Sequence, residues 1–121
     1  MRKYTKEHQW IEMLPDGTAK VGITKYAAEE LGEITFVELP ALDKCVHGGE
    51  PLCVVESVKA ASDVFMPVTG TVSAVNTPLE KDPTPLNEDP EGEGWICLLQ
   101  NPDAAALETL MTQEQYQSFC Q

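Results

Sequence analysis

A single lysine, Lys59, stands between two short β-rich stretches, Leu52–Val58 and Ser62–Met66. Only Lys59, Ala60 and Ala61 separate them, a length that suits a tight hairpin. A primary amine on such a tip is held out in water, where a second protein can enclose it. The small neighbours Ala60 and Ala61 leave it uncrowded. The same placement also suits a plain solvated lysine that discourages edge pairing, and the tip alone leaves both readings open.

The rest of the chain is poor in catalytic spacing. Gly48-Gly49 lacks the Walker spacing and the Lys-Ser/Thr that follows it, and no Gly-x-Ser-x-Gly elbow occurs. His8 and His47 stand apart, outside any metal-spaced cluster. Carboxylate pairs such as Glu29-Glu30 and Glu91/Glu93 fit a solvated acidic face better than glycosidase chemistry. The expectation is a binding or carrier module with no catalytic or metal site.

The chain has 121 residues, 20 of them acidic and 8 basic, for a net charge of −12. That balance argues against nucleic acid and against anionic membranes, and fits neutral or basic protein partners. No apolar run approaches a membrane span. Met1-Arg2-Lys3-Tyr4 leads straight into polar sequence, so a cytoplasmic protein is expected, or a mitochondrial matrix protein if a transit segment has been removed. Cys45, Cys53, Cys97 and Cys120 form no CxxC pair and are expected as reduced thiols, Cys53 and Cys97 in the core.

The elements that must position Lys59 follow from period and punctuation. Gln9–Met13 and Ala19–Thr24 read as a hairpin across Pro15-Asp16-Gly17. Thr24 is set to cap a helix over Lys25–Leu31, with Gly32 as its stop. Strands are expected at Ile34–Leu39, Thr71–Val75 and Gly94–Leu99, beside the two flanking Lys59. Thr77-Pro-Leu-Glu-Lys-Asp-Pro83 and Thr84-Pro-Leu-Asn-Glu-Asp-Pro90 form a tandem repeat matching at five of seven positions. Its four prolines predict a stiff extended loop, with the repeat as local drift. Asn101 is expected to cap a helix that starts at Pro102 and runs to about Met111. Thr112 and Gln115 form a capping box for a last helix to about Cys120. The fold expected is mainly β, a small sandwich or flattened barrel with peripheral helices, the longer ones last.

From Tyr4 to Phe119 the chain also resembles the H-protein family of the glycine cleavage system. The resemblance rests on Tyr4-Thr-Lys-Glu-His-Gln-Trp10, Val21-Gly-Ile-Thr24, Ala27 to Leu39, Val55-Glu-Ser-Val-Lys-Ala-Ala-Ser-Asp63, Pro67-Val-Thr-Gly70, Asn87-Glu-Asp-Pro90 and Gly92-Glu-Gly-Trp95. It implies a barrel-sandwich hybrid (lipoyl-domain-like), a single domain over 1–121 with a helical segment at about 102–120. It further implies lipoate in amide linkage on Lys59. The implied function is a shuttle that takes an aminomethyl group from glycine decarboxylase (P protein) to aminomethyltransferase (T protein) and is reoxidised by dihydrolipoyl dehydrogenase (L protein). Such a protein is a substrate of these enzymes and of the lipoate-attaching enzymes, and a monomer is expected.

Glu56, Asp63 and Gly70 are then candidates for recognition by the attaching enzyme, with Gly70 supplying turn geometry beside the tip. Glu7, His8, Gln9 and Trp95 are candidates for a cleft that receives the arm. Three positions depart from the family's habit: Gln9 where Glu is usual, Glu91 where an aromatic is usual, and Lys25 where Asp is commoner. A neutral Gln9 implies a looser hold on a cationic arm end, by roughly fivefold, unless Glu7 or Asp63 supplies the charge. Other readings are a lipoyl carrier or lipoate donor outside glycine breakdown, a biotin carrier, and an unmodified interaction domain. Biotin carriers usually flank their lysine with methionines, and here Val58 and Ala60 take those places.

Overall fold

A computed structural model describes residues 2–120. Nine short strands build two antiparallel sheets. They are β1 (Arg2–Tyr4), β2 (Gln9–Met13), β3 (Ala19–Ile23), β4 (Ile34–Glu38), β5 (Cys45–Val46), β6 (Pro51–Ser57), β7 (Ala61–Phe65), β8 (Gly70–Val75) and β9 (Cys97–Gln100). The larger sheet has the order β1-β2-β3-β9-β8-β5, and the smaller one β4-β6-β7. Apolar side chains of both sheets meet in one core, including Val21, Val72 and Leu99 from the first and Ile34, Val37, Val55 and Val64 from the second. The mainly β sandwich expected from the sequence is the architecture found.

Helix α1 (Lys25–Leu31) joins the sheets. Thr24 caps it by accepting from the Ala27 N–H, and Gly32 ends it at φ 79°, where a residue without Cβ is favoured. The β6–β7 hairpin pairs Glu56 with Ala61 at its tip end, so its tip holds Val58, Lys59 and Ala60.

Helix α4 (Gln113–Phe119) begins with the expected capping box of Thr112 and Gln115. It closes a second, aromatic cluster in which Tyr116 stacks on Tyr4 at 4.7 Å beside buried Trp10. Tyr4 also exchanges two backbone hydrogen bonds with Met111, at 2.9 and 3.0 Å, which fastens the C-terminal segment to β1.

Several expectations need correction. The tandem repeat is not an extended loop: it forms a 3-10 turn over Thr77–Glu80 and helix α2 (Thr84–Glu88). Proline is tolerated in a first turn, where its missing N–H has no partner to lose. Each repeat thus starts a turn at Thr-Pro and drives one leucine, Leu79 or Leu86, fully into the core. Each such burial stabilises by roughly 2 kcal/mol, so the repeat holds the fold.

The helix expected from Pro102 is only α3 (Ala104–Leu107), and its cap is Asp103, whose carboxylate accepts from the Ala105 and Ala106 N–H groups. Asn101 takes a left-handed turn instead, at φ 51°. Strands β1 and β5 were not expected, and α1 is as long as α4, so the longer helices do not come last.

Candidate functional site

The Lys59 tip is held by its own turn and by the elbow between α1 and β4. Ser57 N–H donates to Ala60 O at 2.8 Å, and Ser57 Oγ accepts from the Lys59 and Ala60 N–H groups, each at 3.2 Å. Val58 N–H donates to Glu33 O at 3.0 Å, which ties the tip to the elbow. Lys59 itself is exposed. Its stem lies over Gly32, where an added Cβ would stand 3.3 Å from Lys59 Cε. Its Nζ donates to Glu30 O at 3.4 Å, near the negative end of α1. Gly32 therefore has two duties, and the sequence signal disclosed only the helix stop.

Beside this seat lies a cleft of about 170 Å³. Ile23, Ala27, Leu31, Val55 and Val64 form its apolar side, and Glu7, His8, Gln9, Glu30 and Asp63 its polar side. Glu30 lines the cleft and its carbonyl receives Lys59 Nζ, so the two adjoin. A cleft with an apolar side and carboxylates on its lining, next to the lysine, fits an alkyl arm with a cationic end. The sequence candidates Glu7, His8, Gln9 and Asp63 are brought together here. Trp95 is not: it borders a different cleft with Arg2, Glu12 and Lys20, and packs on the aromatic cluster.

Gly70 is also misplaced by the sequence reading. β7 carries the chain away from the tip for five residues, about 16 Å of strand. Gly70 lies beyond that far end, paired with Val46, and it is not among the positive-φ glycines. Its Cβ would meet Gln100 O and Leu99 Cδ1, both at 3.4 Å, the near limit of ordinary contact with β9. Glu56 and Asp63 are both exposed on the hairpin that bears Lys59. The departures at 25 and 91 meet each other, since Glu91 Oε2 accepts from the Lys25 N–H at 2.8 Å, and neither lines the cleft.

Gln9 is almost wholly buried, and its amide is already engaged. Its Oε1 accepts from Thr5 Oγ1 at 2.7 Å, and its Nε2 donates to Glu7 O at 2.8 Å. His8 stands at φ 70° with Nδ1 2.6 Å from the Tyr116 hydroxyl, which in turn meets Thr24 Oγ1 at 2.7 Å. Since Thr24 Oγ1 already accepts from Ala27 N–H, a consistent chain runs Thr24 O–H to Tyr116, then Tyr116 O–H to a neutral His8 Nδ1. Burial pushes the His8 pKa down, against the opposing pull of Glu30 and Glu7.

The sign of the pH effect follows. A histidine with a depressed folded pKa contributes stability that is whole above its unfolded value of about 6.5 and is lost as pH falls through the folded value. Tyr116→Phe should therefore lower the unfolding midpoint more at pH 7.5 than at a pH where folded His8 is seen by NMR to be protonated. An equal loss in both conditions would show that the bond is not linked to His8 protonation.

The four cysteines are free. Burial pushes the Cys53 thiol up to about 12, with Glu38 and Asp63 adding to it, and burial raises Cys97 as well. Neither forms a thiolate near neutral pH, so neither exchanges readily with a disulfide brought nearby. No helix among the described residues is long and apolar enough to cross a membrane.

Comparison with known proteins adds to this geometry. Residues 2–121 match the family model described as glycine cleavage H-protein. The chain is 49% identical over 117 residues to a glycine cleavage system H protein of Coprothermobacter proteolyticus, covering 97% of this chain and 92% of the relative. It is 50% identical over 117 residues to that of Thermus thermophilus, covering 96% and 90%. Among solved structures, it is similar to the crystal structure of a glycine cleavage system H protein from Mycobacterium marinum. The TM-score is 0.88 at 39% identity, with 97% of this chain and 94% of the other covered.

Proposed function

The chain belongs to the glycine cleavage H-protein family, and from that premise we propose that Lys59 is the residue on which it carries lipoate, in amide linkage. Its role is that of the lipoyl-carrying shuttle of glycine cleavage, a carrier with no catalysis of its own. When bound, the dithiolane supplies the chemistry that takes the aminomethyl group from the decarboxylase and gives it to the aminomethyltransferase.

The protein's own residues supply presentation. The observation that carries the reading is the place of Lys59: exposed on a braced tip, its stem on Gly32, beside a cleft with an apolar side. Lysine plus lipoyl spans roughly 15 Å, enough to reach into another protein while the base stays fixed. Glu56 and Asp63, exposed on the hairpin, offer the attaching enzyme a charge pattern to read. The chain acts as one monomeric domain over 1–121, in the cytoplasm of a bacterium or, after removal of a transit segment, in the mitochondrial matrix. Its partners are the P, T and L proteins and the lipoate-attaching enzymes, with the carrier as substrate of each.

The test is reconstitution. The lipoylated protein should support glycine-dependent carboxyl exchange by the decarboxylase in proportion to its lipoylated fraction. A fully lipoylated protein that supports no exchange would shift the assignment to a lipoyl carrier or donor outside glycine breakdown.

Gln9 is the cleft residue at which the family resemblance leads one to expect Glu. With its amide already spent on Thr5 and Glu7, it offers a docked cation only the second lone pair of a neutral carbonyl. Gln9→Glu should slow the spontaneous breakdown of the loaded carrier by roughly fivefold, from the stronger charge-assisted bond. It should also cost about 2–3 kcal/mol of stability, because the donor to Glu7 O is lost and a buried carboxylate oxygen is left facing that carbonyl. An unchanged breakdown rate with normal folding and lipoylation would remove Gln9 from the arm's path.

A further inference from the structure

We infer that Asn87 is a positioning residue for Lys59, acting through the elbow between α1 and β4; this rests on the assignment of Lys59 as the modified lysine. The tip leans on that elbow at three points: Val58 N–H on Glu33 O, Lys59 Nζ on Glu30 O, and the lysine stem over Gly32. The elbow's two middle residues pack nothing, since Glu33 is exposed and Gly32 has no side chain, while Leu31 and Ile34 on either side pack on the core.

β4 is moreover an edge strand, and its register with β6 shifts between Ile34 and Phe36. An edge residue beside a bulge has backbone groups that no neighbouring strand fixes. Asn87, on α2, supplies the missing partner. Its Oδ1 accepts from Ile34 N–H at 2.8 Å, and its Nδ2 donates to Ile34 O at 3.0 Å. One side-chain amide thus stands in for a strand residue and fixes both backbone groups of Ile34. The Glu33 carbonyl that receives Val58 lies in the same planar peptide group as the Ile34 N–H, so holding that N–H aims the carbonyl. Asn87 is itself exposed, so its replacement opens no cavity in the core.

The test uses the whole protein, with two readouts. The first is hydrogen exchange of the Val58 amide in the unmodified protein. The second is lipoylation by a lipoate–protein ligase with lipoate and ATP, analysed as KM for the carrier against kcat. Losing the paired hydrogen bonds is worth roughly tenfold in the local equilibrium of the tip. Asn87→Ala should therefore speed Val58 exchange about tenfold and raise the ligase KM by the smaller factor by which the braced fraction falls, with kcat unchanged.

Asn76→Ala is the control. Asn76 Nδ2 also bridges two carbonyls, those of Glu93 and Trp95, but at the end of β8 in the other sheet. It should lower stability and leave Val58 exchange and the ligase KM at wild-type values. If Asn87→Ala lowers the unfolding midpoint but leaves both Val58 readouts unchanged, Asn87 merely anchors α2 and the inference is wrong. The exchange readout needs no lipoate, so absence of lipoylation in wild type would count against the Lys59 assignment and not against Asn87.

Discussion

Lys59→Arg is expected to abolish carrier function and leave the fold intact. Arginine keeps the positive charge and most of the stem, but its guanidinium is not a substrate for amide formation by a ligase. The fold has little to lose. Lys59 is exposed, and its ammonium makes one long contact, 3.4 Å to the Glu30 carbonyl. Exposed substitutions of this kind usually change stability by about 0.5 kcal/mol or less. The variant should gain no lipoyl mass and support no glycine-dependent exchange above background, while its unfolding midpoint stays near wild type. Activity retained by the arginine variant would place the carrier residue elsewhere.

The largest effect on stability is expected at Trp10. Its indole is fully buried, and its Nε1–H donates to Pro90 O at 3.0 Å. Arg2 lies over the ring at 4.2 Å. Across the β2–β3 pair Trp10 faces Gly22, and a Cβ added there would stand 2.7 Å from Trp10 Cζ2. Trp10→Ala should cost about 4 kcal/mol, a fall of roughly 15 °C in the unfolding midpoint. Gly22→Ala should cost about 2 kcal/mol by overpacking. The double variant should lose clearly less than the two costs added, because the new methyl no longer meets the ring. Strict additivity would mean that the ring does not rest on Gly22.

What was legible in the sequence is what local chemistry decides. The β2–β3 hairpin, the Thr24 cap, the Gly32 stop and the Thr112–Gln115 box each depend on residues a few positions apart, and each is found. The Lys59 tip was legible for the same reason. Four prolines argue against helix across the repeat, yet proline is accepted in a first turn, and the spaced leucines Leu79 and Leu86 are the signal that burial wins. Asn101 and Asp103 both flank Pro102, and sequence alone did not show which of them would cap α3.

The cleft was only half legible. Motifs named Glu7, His8, Gln9 and Asp63, which meet, and also Trp95 and Gly70, which do not. A motif reports that a residue is constrained without saying on which face. Trp95 is constrained by the aromatic cluster, and Gly70 lies against β9. The Glu33 carbonyl and the Asn87 clamp left no local mark, because each acts on the tip or the elbow across long stretches of chain.

The claim that Lys59 carries the lipoyl group is tested most directly by mass. The full-length protein is incubated with a lipoate–protein ligase, lipoate and ATP, weighed intact, and fragmented to locate the addition. One lipoyl group per chain on the fragment holding Lys59 is the predicted result. An unmodified chain, or a lipoyl group on another lysine such as Lys44 or Lys81, would contradict it.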